Sequence, residues 1–135
     1  MSRRRLLPCA AGLAVVAVLA ACSGQGGGET GLARDVASRF VRAQVQDVER
    51  ACALLAPKTL QEVEQDGQCT TVLAGEAPSS LLTVESVQVW GTNAIARFDG
   101  DTVFLARFRD GWKVIAAGCK PDGKNRPYQC DIQAG

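Results

Sequence analysis

The 135-residue chain contains no histidine. That removes the side chain most often used as a general base near neutral pH, the usual activator of a serine nucleophile, and the nitrogen ligand of many zinc sites. No Gly-x-Ser-x-Gly turn is present, so Ser79 and Ser80 read as loop residues. No Cys-x-x-Cys pair occurs, which together with the missing histidine argues against a metal site. The single tyrosine, Tyr128, falls in the tail, outside the strands expected to line any cavity, and reads as a packing residue with its hydroxyl in water. No basic stripe able to displace phosphate counterions is visible, so nucleic acid is excluded as an expected partner. The longest apolar run, residues 6–21, is about 16 residues, shorter than the roughly 20 that a spanning helix needs.

What is present begins with an address. Arg3, Arg4 and Arg5 form a charged start, the apolar run follows, and it ends in Leu19-Ala20-Ala21-Cys22. This stretch resembles the lipobox of bacterial lipoproteins, in which cleavage falls immediately before a cysteine that carries lipid. The resemblance implies a signal peptide over residues 1–21, lipidation at Cys22, and a home on the outer face of the cytoplasmic membrane. Removing 21 of 135 residues leaves 114, enough for one domain. Three of the fifteen basic residues leave with the signal, so 12 Lys and Arg then face 14 Asp and Glu, a formal −2.

Cys9 lies in the signal and Cys22 is the expected acylation point, which leaves Cys52, Cys69, Cys119 and Cys130 in an exported, oxidising setting. Four cysteines permit three pairings. The expected one joins sequence neighbours, Cys52 with Cys69 and Cys119 with Cys130, because each closes a short loop holding the Gly or Pro needed to turn.

Residues 22–31 are rich in glycine and poor in large apolar side chains, and read as the lipidated cysteine followed by a flexible tether that holds the domain off the membrane. Gly26, Gly28 and Gly31 satisfy Gly-x-Gly-x-x-Gly, but a lipid anchor stands where the preceding strand of a dinucleotide fold belongs. Residues 32–135 are expected to form a single α+β domain. Leu32, Val36, Phe40 and Ala43 recur at helical spacing up to Gln46. Asp47 suits the cap of a short second helix, Pro57 the first turn of a third that ends at Asp66-Gly67, and residues 69–74 one further helical turn. After Leu81 the period changes to two. Turns at Gly91-Thr92-Asn93, Asp99-Gly100 and Asp110-Gly111 separate four expected strands of an antiparallel meander, the last over residues 112–118. The face carrying Phe104, Ala106 and Phe108 is expected to cover the helices, with Val103 and Leu105 opposite.

Helices followed by a curved sheet give an α+β arrangement. At this level the chain resembles the cone-shaped nuclear-transport-factor-like superfamily, also called cystatin-like. More narrowly, Ala51-Cys52-Ala53-Leu54-Leu55-Ala56-Pro57, Cys69, Gly111-Trp112-Lys113-Val114, Ala117-Gly118-Cys119-Lys120-Pro121 and Pro127-Tyr128-Gln129-Cys130 resemble uncharacterised exported lipoproteins of high-GC Gram-positive bacteria. That resemblance implies fold and address only. Residues 120–129 are expected to form an exposed loop tied shut by its two cysteines.

The residues that would carry function are few. Asp99 and Asp101 flank Gly100 and read as a solvated turn rather than a calcium loop, since no terminal Glu follows at the right distance. Glu85 reads as an exposed strand residue unless it points into the cone. Lys120, Lys124 and Arg126 are interrupted by Asp122 and read as a solvated loop. Trp90 and Trp112 sit beside glycine turns, where a large ring either seals the core, the commoner role, or, with Phe40 and Phe104, forms the candidate wall of a small apolar pocket. The expected function is therefore a membrane-anchored, non-enzymatic domain, without cofactor or metal, that binds a protein partner in the cell envelope or a small apolar ligand. The alternatives are a cone-fold enzyme with a cavity carboxylate, and an accessory subunit of a membrane complex that uses Val103, Leu105 and Ile115 on the second sheet face.

Overall fold

The computed structural model describes residues 25–125 and 127–135, so the signal stretch, Cys22 and Arg126 lie outside the described residues. Four helices come first: α1 (Gln25–Gln46), α2 (Val48–Ala53), α3 (Pro57–Asp66) and α4 (Cys69–Gly75). Five strands follow: β1 (Val84–Trp90), β2 (Asn93–Phe98), β3 (Thr102–Phe108), β4 (Gly111–Pro121) and β5 (Tyr128–Gln133). They pair antiparallel in sequence order and leave the sheet open. The chain is thus α+β, with one strand more than the four expected.

Local chemistry accounts for the short helices. Asp47 caps α2 by accepting from the Arg50 N–H at 3.3 Å. Pro57 opens α3, where its missing N–H leaves nothing unpaired, and Gly67 ends it. The link between α2 and α3 runs beside β4: Ala56 N–H donates to Val114 O at 2.8 Å and Val114 N–H to Leu54 O at 2.9 Å. Buried Thr59 adds a hydroxyl bond to Ile115 O at 3.1 Å. Both expected disulfides are present, Cys52–Cys69 joining α2 to α4 and Cys119–Cys130 joining β4 to β5.

Phe40 is completely buried and lies in one apolar cluster with Ala33, Ala37, Val41, Leu105 and Val114, so the core sits between α1 and the sheet. The expected helical stripe is displaced at its start. Leu32 is 57% exposed, and the neighbouring Ala33 and Ala37 turn inward instead.

The sheet faces are reversed from expectation. Val103 and Leu105 are fully buried against the helices, while Phe108 is exposed and Phe104 is half-buried. Apolar residues occupy both phases of β3, so alternation alone does not choose between them. Packing on the helices does: Leu105 lies between Ala94 and Val114, and Val103 opposite Ala96, all in the cluster shared with α1, whereas Ile95 and Ala116 beside Phe104 lie outside it. Phe104 meets Tyr128 edge-on, with ring centroids 5.1 Å apart. Burial of Val103 and Leu105 also withdraws two of the three side chains that an exposed docking face on this sheet required.

The tail is a strand rather than a loop. β4 continues to Pro121, and β5 pairs with it so that Cys119 faces Cys130 and Ala117 faces Ile132. Tyr128, Cys130 and Ile132 alternate with Gln129, Asp131 and Gln133, a period-two signal that the closing disulfide loop obscured.

The tether also differs. Residues 25–31 are the first turns of α1, although glycine costs up to about 1 kcal/mol per helical position relative to alanine. Glu29 holds this segment down. Its Oε1 accepts from Arg107 Nη1 at 3.0 Å and its Oε2 from Trp112 Nε1 at 2.9 Å, tying α1 to β3 and β4. Among the described residues, no helix is long and apolar enough to cross a membrane.

Candidate functional site

Trp112 lies in the core with its indole on Glu29, and Phe40 lies deeper in the same core. Phe104 packs with Tyr128 in the half-buried layer, while Trp90 stands 53% exposed at the end of β1. The four candidate pocket residues therefore divide between core and surface instead of converging on a shared wall. Reversal of the β3 faces is the physical reason, because it moves Phe104 away from the helices. Glu85 is exposed, as are Lys120 and Lys124.

The side chains that do converge are acidic. At the end of the sheet where β2 turns into β3, a hollow of about 370 Å³ is lined by Glu76, Asp99, Asp101, Lys120 and Asp131, with Ser79 and Ser80 on its rim. The turn between β2 and β3 places two of these carboxylates and β5 a third, each for a local reason. Asp99 Oδ1 accepts from Thr83 N–H at 2.6 Å while Asp99 N–H donates to Thr83 O at 3.1 Å, so the turn clamps the approach to β1. Asp101 Oδ1 accepts from its neighbour Thr102 N–H at 2.6 Å and from Cys119 N–H at 3.0 Å, fastening the turn to β4. Asp131 crosses from β5 over Gly118. That residue has φ of 65°, and a Cβ on it would meet Asp131 Oδ2 at 2.7 Å, so only glycine suits the position.

Asp101 is therefore not the solvated turn residue its context suggests. Burial pushes its carboxyl above the ordinary carboxylate range; the backbone N–H groups of Thr102, Gly118 and Cys119 oppose that shift, and the charge of Asp131 adds to it. Among the described residues, no group of three or more acidic or cysteine side chains is arranged to hold a metal ion. The hollow can instead receive a cationic group, with Lys120 as the one positive charge in its lining.

A raised carboxyl pKa means that the fold holds the proton more tightly than the unfolded chain does. Ionisation then costs stability, with no cost below the unfolded value near 3.8 and the full cost above the folded value. Asp101→Asn keeps an acceptor oxygen without the charge, so it is expected to melt higher than the parent at pH 7 and level with it at pH 3. Asp101→Ala strands two backbone N–H groups and is expected to lose about 1–3 kcal/mol at either pH. Thermal melts at the two pH values check both.

Sequence reasoning missed Glu29 and Asp131. Glu29 stood in a glycine-rich stretch with no apolar periodicity, and Asp131 in a tail that lacked an assigned strand. No family model, curated protein or solved structure matches the chain.

Proposed function

We propose that this protein is a lipid-anchored, extracytoplasmic binding domain without catalytic activity, whose acidic hollow receives a cationic group of a protein partner in the cell envelope or of a small ligand. The observation that carries the reading is that all four cysteines of the domain are paired in two disulfides, in a chain whose residues 19–22 resemble a lipobox. Paired thiols belong to an exported, oxidising compartment. The helices-then-meander order agrees with a cone-type, nuclear-transport-factor-like domain of an exported lipoprotein. The small apolar ligand loses its support, because Phe40, Trp90, Phe104 and Trp112 do not surround one space.

Cys22→Ser is the test. The variant is expected to leave the membrane fraction for the medium or to accumulate uncut, and unchanged membrane retention with normal cleavage overturns the anchor. A second reading has Asp101 behind it: a carboxyl with a raised pKa in a hollow is what a cone-fold enzyme uses as its acid or base. Against it stands the double occupation of Asp101 Oδ1 by backbone donors, which makes the group a brace for the turn.

A further inference from the structure

The two ends of the sheet differ in chemistry. The turns after β1 and β3 lie at one end, and the acidic turn between β2 and β3 lies at the other, roughly 20 Å away along a seven-residue strand. The first end is where α1 begins. Glu29 binds Arg107 and Trp112, and Arg107 N–H donates to Thr92 O at 2.8 Å, which holds both turns beside the start of the helix.

Among the described residues, five large apolar side chains are exposed, and three of them stand on segments that start or finish at this end: Leu32 at 57% near the start of α1, Trp90 at 53% at the end of β1 and Phe108 at 39% at the end of β3. Arg34, Arg107, Arg109 and Lys113 accompany them. The acidic residues nearby are Glu29, Asp35 and Asp110, each engaged by a cation: Arg107 on Glu29, Arg39 on Asp35 and Lys113 on Asp110. Arg107 and Lys113 are thereby matched by acids, and Arg34 and Arg109 remain beside the exposed apolar groups; apolar side chains with cations among them and a tryptophan at the tip match the chemistry of a bilayer interface.

Chain length selects the occupant. Only three peptide steps separate Cys22 from Gln25, where α1 starts, so they span at most about 11 Å. A lipid on Cys22 would bring this end, rather than any other part of the domain, to the headgroups. Resting on the lipid anchor proposed above, we propose that the tether-side end of the domain seats in the headgroup layer of an anionic phospholipid bilayer. Trp90 and Phe108 enter at the acyl boundary and Arg34 and Arg109 lie among the phosphates. The acidic hollow at the opposite end then faces away from the membrane, where a partner can reach it and where its charge is not repelled by the lipid.

The experiment uses the mature, lipidated protein in vesicles of phosphatidylcholine with one part in three phosphatidylglycerol, the phosphatidylcholine brominated near the top of its acyl chains. The chain has two tryptophans, and Trp112 is buried, so quenching by bromolipid reports Trp90. Close to half of the fluorescence is expected to be quenched in vesicles that co-float with the protein, and Trp90→Phe is expected to abolish that quenching. Protein that co-floats while Trp90 stays unquenched by bromolipid and open to aqueous acrylamide overturns the docking and leaves the anchor standing. Protein that fails to float overturns the anchor, and the docking with it. Protein that co-floats with Trp90 unquenched by bromolipid yet shielded from aqueous acrylamide would show that a second copy covers this end, which also overturns the proposal.

Discussion

Phe40→Ala is expected to lower the unfolding free energy by about 3–5 kcal/mol, a large part of the 5–15 kcal/mol typical of a small domain. Phe40 is the largest side chain in the middle of α1 with no exposure at all, and it lies where that helix packs on the sheet. Removing the ring takes away its burial and leaves a cavity in a cluster whose strand members, Leu105 and Val114 among them, are held by their ladder positions and cannot move to fill it. Urea unfolding checks this: the midpoint should fall with little change in slope. A loss below about 1 kcal/mol would mean that the helix contributes little to holding the sheet.

Opening the Cys52–Cys69 bridge by replacing both residues with alanine is expected to cost about 3 kcal/mol by loop entropy, and to lower the melting temperature by roughly 10–20 °C. The bridge closes a separation of 17 residues and joins helices of six and seven residues, each too short to persist alone in water. The Cys119–Cys130 bridge spans 11 residues and links positions that the β4–β5 ladder already places face to face. Its removal should therefore cost less, and differential scanning calorimetry of the two double variants should rank them in that order. The reverse ranking would show that β5 depends on its disulfide more than on its hydrogen bonds.

Much of the architecture was legible because it rests on local chemistry. The caps of α2 and α3 depend on Asp47, Pro57 and Gly67, whose effects reach only a turn away. The three glycine hairpins depend on Gly91, Gly100 and Gly111, all at positive φ. The cysteine pairing followed from short loops. What escaped detection depends on residues distant in sequence. The helical state of residues 25–31 is secured by a carboxylate that meets Arg107 and Trp112 some eighty positions later, and a glycine-rich stretch carries no sign of such partners. The acidic hollow draws on a loop, two turns and two strands, so no motif of fixed spacing announces it.

The amino-acid sequence by itself determined the order of the four helices and the first four strands, the turns between those strands and the oxidised cysteine pairs, but not β5. It also supplied the lipobox-like stretch on which the proposed address rests. Tertiary structure alone decided which face of β3 packs on the helices, because apolar residues occupy both phases and only Val103 and Leu105 share a cluster with α1, together with Ala94, Ala96 and Val114. It likewise decided that Asp101 is a half-buried brace rather than a wet turn residue. The donors that hold it include Cys119, eighteen positions away, whose N–H lies within 3.0 Å because β4 pairs with β3.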